Sequence, residues 1–406
     1  MDPFNGATVN RVDGGLGRTT ANSDNVSLLV IGNAIATAGL PLNAVKRVLD
    51  LKDLETMGIT ASYDDVNSIL AHHHASEVFR LNPDVELYVV STTPVSRNVE
   101  IVKAVRTFPQ IKLLAIAANV TASPVAIAVE VAALKLEVID ELLQDKIRID
   151  SILIGSDQFT AATAISAYPD LRALNTPNVS VILGQDPAVA AIKTAYANYA
   201  AVGTALGALS RRGVNENLGS VDANDKPDYA KGLNYWTLSD IARGLFLTAA
   251  LQSGKNFAAL TAAERQALNE KGYIFIGGYA GFAGFYFSNS PTCTAVTSDY
   301  AYIENNRVWN KAARGVRTAL LPRVKRNVLK DPETGFVKTS EARELESVAS
   351  KPLQDMVNAG EISAGDVYIN PAQAFVGETA LEVKATIVYN GIVFEFNVDL
   401  SGAQNI

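Results

Sequence analysis

Five short runs in which apolar residues follow one another with little alternation, at 27–31, 86–90, 112–117, 151–154 and 179–183, most tightly limit what this chain can fold into. A strand with one wet face alternates apolar and polar residues, whereas a run without that alternation has to be covered on both faces. Between the runs lie longer stretches with apolar residues at helical spacing, at 63–81, 99–107, 124–143 and 187–206. Strands buried on both sides and separated by helices predict an α/β fold: an open, mostly parallel sheet with flanking helices. Apolar side chains are plentiful enough, since 48% of the 406 residues are hydrophobic and 19% are charged. That balance excludes a disordered chain.

The remainder divides around this core. Residues 1–25 are polar, with Gly14, Gly15 and Gly17 close together, and are expected to form an extended arm. Within the arm, Thr8, Val9, Asn10, Arg11 and Val12 alternate enough to form a strand if a partner offers an edge. The core is expected over 26–214, a linker with helices over 215–270, and a C-terminal α+β domain over 271–406. A helix is expected at 238–253 and another at 261–271, where Thr261 and Glu264 have the spacing of a capping box. An aromatic, glycine-rich strand segment follows at 273–287, then helices at 308–328 and 341–359, the latter stopped by Gly360. At the C-terminus, Leu381, Val383, Ala385 and Ile387 alternate with polar residues. Asn390-Gly391 then supplies a favoured hairpin turn, and Ile392, Phe394, Phe396, Val398 and Leu400 alternate in their turn. This predicts a terminal antiparallel hairpin with a strongly fixed register.

Catalytic motifs are scarce. His72, His73 and His74 are adjacent, so on a helix their rings point about 100° apart and do not converge on one metal ion. Cys293 is the single cysteine, which excludes an internal disulfide and fits a reducing compartment. No P-loop or nucleophile elbow occurs. Gly15 and Gly17 lack a preceding strand, and Gly278, Gly281 and Gly284 have the wrong spacing for a dinucleotide fingerprint. Gly184 alone follows an apolar run and precedes a helix, the usual ligand position of an open α/β sheet, although as a lone signal it is weak and a plain strand-to-helix turn explains it better. No cofactor is expected. A formal net charge of −7 argues against coating nucleic acid. No run of about 18 uncharged apolar residues offers a membrane span, and the first residues lack a signal-peptide pattern. One stretch stands out electrically: 304–330 holds eight basic residues against the single acid Glu304. Arg307, Lys311, Arg314 and Arg317 lie there at helical spacing, either as a solvated face or as a strip that docks on an acidic surface, such as that of another copy.

A co-linear series of segments resembles the contractile tail sheath family, the subunits that polymerise around the tail tube of contractile phages and related injection machines. The segments are Lys271-Gly-Tyr-Ile-Phe-Ile-Gly-Gly, Gly284-Phe-Tyr-Phe-Ser-Asn and Ser298-Asp-Tyr-Ala-Tyr-Ile-Glu-Asn-Asn-Arg-Val-Trp-Asn-Lys, with Arg307 and Lys311 in the expected helix. Gly360-Glu-Ile-Ser-Ala-Gly-Asp-Val-Tyr-Ile-Asn-Pro and the closing strand pair through Val398 follow. Upstream, His74-Ala-Ser-Glu-Val-Phe-Arg-Leu-Asn-Pro, Gly15-Leu-Gly-Arg and Asp24-Asn-Val-Ser-Leu-Leu-Val also match. The resemblance implies a non-catalytic, self-assembling subunit in a virion tail or similar particle, assembled in the host bacterial cytoplasm. Its partners would be further copies of itself, the tail tube protein and, at the tube ends, baseplate and terminator proteins, with neither nucleic acid nor direct membrane insertion. It further implies that terminal arms exchange strands between subunits, with Thr8 to Val12 as the donated strand and the hairpin Leu381 to Leu400, through its strand Ile392, Phe394, Phe396, Val398 and Leu400, as the acceptor edge; the other reading is that the hairpin simply completes its own domain. The alternative from a different class is an α/β enzyme binding a nucleotide or small ligand, with Gly184 as its foothold; a baseplate or terminator component is the third.

Overall fold

The strands are β1 (Ser27–Gly32), β2 (Val45–Val48), β3 (Leu87–Thr92), β4 (Leu113–Ala117), β5 (Ser151–Ile154), β6 (Val179–Ile182), β7 (Gly184–Gln185), β8 (Ala250–Leu251), β9 (Tyr273–Ile274), β10 (Ile276–Tyr279), β11 (Phe282–Phe287), β12 (Ala364–Tyr368) and β13 (Lys384–Val388). Seven of them form one sheet in the order β2-β3-β1-β4-β5-β6-β9, parallel throughout except for the antiparallel edge strand β2. The computed structural model describes residues 23–32, 34–117, 126–156, 158–222, 236–374 and 380–402. All five apolar runs are strands of this sheet.

Both faces of the sheet are dry, and successive residues go to opposite sides. Leu29, Ile31, Leu87, Val89 and Leu113 enter the core beneath α1 (Leu51–Thr56), α2 (Ala61–Asn67), α3 (Ala71–Leu81) and α8 (Val202–Arg211). Leu28, Val30, Tyr88, Val90 and Leu114 enter the other core, under α4 (Arg97–Thr107), α5 (Ile127–Leu134), the π-turn Lys135–Ile139, α6 (Asp140–Gln144) and α9 (Ala262–Glu270). Each fully buried aliphatic side chain contributes about 1.5–3 kcal/mol, which is why these positions carry no polar residues. α3 and α8 touch backbone to backbone at two glycines. A Cβ on Gly203 would sit 2.5 Å from the His74 carbonyl oxygen, and one on Gly207 would sit 2.9 Å from the Val78 Cα.

Four sequence expectations are corrected. Residues 187–206 are not one helix: α7 (Pro187–Ala190) is capped by Asp186, a 3-10 turn follows at Thr194–Tyr196, and α8 starts at Val202. Residues 238–253 are not helical. A tight turn bonds Asp240 to Leu245, Gly244 and Phe246 take positive φ, and β8 pairs with β7, so tertiary bonds override helical spacing. Third, the fold does not divide at 271, because β9 is the edge strand of the central sheet and Ile276 and Phe287 lie in its core. The capping box at Thr261 and Glu264 is present, as expected.

A smaller body follows, built from α10 (Ile303–Leu320), α11 (Thr339–Asn358), β12 and β13 around Val308, Ala312, Leu353, Met356 and Val367. α11 stops at Gly360, which takes φ 70° as a helix-ending glycine does. The fourth correction lies here. β13 does pair antiparallel, from Ala364↔Val388 to Tyr368↔Lys384, but its partner is β12 and not the segment after Asn390-Gly391. The Asn390 side chain is otherwise engaged: its Nδ2 donates to the Gly360 carbonyl at 2.7 Å, and its Oδ1 accepts from Ser363 Oγ at 2.9 Å.

Candidate subunit interface

α10 carries the basic strip, and its charged face is turned inward. Asn306, Arg307, Asn310, Lys311 and Arg314 share one side of the helix and lie across the amino ends of β1 and β5. Arg307 is fully buried. Its Nη2 donates to Asn25 Oδ1 at 2.6 Å, and its Nη1 donates to the Gly213 carbonyl at 3.0 Å. Arg314 grips the fully buried Asp150 with two bonds, of 2.6 and 3.1 Å. Lys311 pairs with Asp24 at 2.7 Å and with Glu361 at 2.6 Å. The side-chain amides of Asn306 and Asn310 donate to the Asp150 and Ile149 carbonyls.

The electrostatics follow from burial. Desolvation raises the Asp150 carboxyl pKa against the lowering pull of Arg314, Arg307 and Lys112. It lowers the Arg307 guanidinium, which Asp150, Asp24, Glu304 and Glu216 partly restore. Burial and the nearby Arg314 bring Lys112 down to about 8. Glu304 is raised by burial while accepting from Asn217 and Ser290. Arg212, stacked 4.0 Å over the Trp236 ring, is lowered by burial to about 10. The expectation of a solvated or intermolecular strip is therefore corrected for three of its four residues. Arg307, Lys311 and Arg314 dock on acidic and carbonyl groups of their own chain, and Arg317 is the exposed member.

The outward-facing apolar surface lies further on. Ile392 is half-buried, whereas Phe394 is 60% exposed, Phe396 81%, Val398 79% and Leu400 94%. The segment belongs to no strand or helix, and the Phe394 ring rests 5.5 Å from that of Tyr302, at the start of α10. Thr8, Val9, Asn10, Arg11 and Val12 lie outside the described residues.

Residues 4–291 match the N-terminal domain of DUF2586, and residues 299–405 match its C-terminal domain. The chain belongs to the DUF2586 family. The gap between the two matches falls where this DUF2586 chain passes from β11 towards α10. No curated protein matches it. Its fold is similar to that of a chain in the cryo-EM structure of the anti-feeding prophage baseplate, six-fold symmetrised, with TM-score 0.63, 15% identity and 100% of both chains covered.

The other residues singled out in the sequence sit inside the family's α/β body. Gly184 is packed shut, since a Cβ there would meet the Ile276 side chain at 2.5 Å. The adjacent Asp186 carboxylate accepts from the amides of Ala188 and Phe246. His72 faces Glu55 at 3.0 Å, while His74 and the inner ring of His73 pack against Tyr199. Burial holds both inner imidazoles below their ordinary pKa, His74 at about 3. Among the described residues no group of three or more His, Cys, Asp or Glu side chains is placed to hold a metal ion. Cys293 is buried and its thiol is pushed up to about 12. No helix among the described residues is long and apolar enough to cross a membrane.

Proposed function

We propose that this chain is a structural subunit of a contractile injection particle, of the sheath type. Copies polymerise into a helical tube around the tail tube protein, and contraction drives that tube through the target envelope. The observation that carries the proposal is the segment from Ile392 to Leu400, with apolar residues at every second position, outside the helices and strands, and with most of those side chains in solvent. A segment outside any strand pair, with exposed alternate side chains, suits addition to a neighbour's sheet edge. The open edges of the β12–β13 pair are of the same kind, and a non-closing repeat of such contacts generates a tube. The likeness over the full chain to a baseplate component supports a role in the tail or particle, with neighbouring copies, tube and baseplate proteins as partners. The work of contraction comes from a difference between two packings, so no reacting group is called on.

Electron microscopy with sedimentation velocity tests the proposal, on the full chain and on a truncation lacking residues 391–406. Tubes, rings or stacked helices are expected from the full chain, and small folded species from the truncation. A full chain that stays monomeric or dimeric even with the tail tube protein present overturns the sheath reading. Tubes of normal length from the truncation overturn the C-terminal link alone. The N-terminal arm is tested in the same way by removing residues 1–25.

A further inference from the structure

The N-terminal and C-terminal parts of the chain meet at one side chain. Asp24 stands three residues before β1, and Glu361 stands three residues before β12, yet both carboxylates close on Lys311 Nζ, at 2.7 and 2.6 Å. The three side chains retain only 15%, 17% and 27% of their exposure for Asp24, Glu361 and Lys311. Burial alone would lower the Lys311 pKa, but the hydrogen bonds to Asp24 and Glu361 outweigh it and carry the pKa up. The residue before Glu361 holds the root of the exposed C-terminal segment, through the bond from Asn390 to the Gly360 carbonyl. One turn earlier on α10, Arg307 holds Asn25, the neighbour of Asp24.

We propose that Lys311 is a coupling node, through which displacement of either terminal root is transmitted to the other and to α10. An ammonium has three donors and no preferred plane, so it holds two carboxylates at once only while both stay in place. When one carboxylate leaves, the lysine rehydrates and the hold on the other weakens. Residues in one ion-pair network respond in this non-additive way, whereas separate surface pairs do not. Under the proposed sheath role, tension from a neighbour on either terminal segment would reach α10 through Lys311 as well as passing along the chain into the adjoining strand. That consequence rests on the sheath reading, and the coupling itself does not.

Hydrogen–deuterium exchange on the unassembled full chain reads the node directly. The amide of Ser27, bonded to the Glu86 carbonyl, reports the N-terminal root, and that of Ser363, bonded to the Val388 carbonyl, reports the C-terminal one. Glu361→Gln is expected to speed exchange at Ser27 about fivefold, and Asp24→Asn to do the same at Ser363. Lys311→Met should release both, and Lys311→Arg should restore most of the protection. If each carboxylate variant changes only its own neighbourhood, the coupling is overturned, even where Lys311→Met fails to fold. A positive result with no tubes under the microscope would leave the node standing and remove only the sheath role.

Discussion

The two bodies of this chain are held by different physics. In the α/β body, both faces of the sheet are filled, with Leu28, Leu29, Val30 and Leu113 at 0% exposure, and helices touch at glycines where no side chain fits. In the C-terminal body, two small apolar clusters are joined to the rest by a face of ions and amides at the amino ends of β1 and β5, while large apolar side chains stand in solvent. The first body is filled inside, and its exposed apolar side chains, such as Val66, Val95 and Ile241, are spread over separate segments. The second body keeps a close series of exposed apolar side chains in reserve, from Val393 to Leu400, and contact with another chain is the role we propose for it. Open α/β sheets place ligands outside the carboxyl ends of their strands. The C-terminal body here docks on the opposite end, at the amino ends of β1 and β5.

The comparison breaks hardest at Asp150. Asp150→Ala strips Arg314 of its bidentate partner and leaves Arg307 without its strongest electrostatic support, inside the protein. Removing one member of a buried pair costs about 3–5 kcal/mol, because the other charge is left uncompensated. Urea denaturation should show a loss of that size, with the C-terminal body separating first in limited proteolysis. A loss below about 1 kcal/mol would mean that Val308 and Ala312 hold α10 in place by apolar packing, and that the two bodies are alike after all.

The α/β body should fail through volume instead. Gly203→Val pushes a branched side chain into the α3 backbone at His74, which has no flexible end to move aside. Overpacking of a tight contact costs about 1–3 kcal/mol. The same change on α10 at Gly315 meets the Pro352 ring edge, with its nearest atom at 2.8 Å, and sets a like-for-like test in the second body. Equal losses at the two glycines would erase the distinction between a body limited by volume and one limited by charge.

These contrasts also explain what the amino-acid sequence could disclose. The strands buried on both faces were legible, because two-sided burial keeps charged residues out of β1, β3, β4, β5 and β6 and leaves only small hydroxyls, such as Ser27, Ser91, Thr92, Ser151 and Ser180, among the apolar ones. The pairing of β13 was half legible. Its own alternation was visible, but β12 contains Ala364, Gly365 and Asp366, residues poor in strand propensity, and the Asn390-Gly391 dipeptide pointed to a different partner. The junction was legible as a charge run and misread in direction. Helical spacing placed Arg307, Lys311 and Arg314 on one face, but periodicity does not say whether a charged face meets water or carboxylates, and Asp24, Asp150 and Glu361 are far from it in sequence. The turn over 240–245 was not legible, since the residues that flank it, Leu238 and Phe246, are held by Phe285 and Asp186 in distant parts of the chain.

The smallest expected effect is the most informative about the second body. Phe396 is 81% exposed, so Phe396→Ser should change the stability of the isolated chain by no more than about 0.5 kcal/mol, the range of surface substitutions. Its consequence should appear only in sedimentation velocity, as weaker self-association at equal concentration. Phe394→Ser is the control, because that ring touches Tyr302 in its own chain and should cost slightly more in the monomer. If Phe396→Ser lowers monomer stability by more than about 1 kcal/mol while leaving association unchanged, the segment packs on its own body, and the apolar surface held in reserve would have to be sought elsewhere, at the β10–β11 tip where Tyr279 and Phe282 are half exposed.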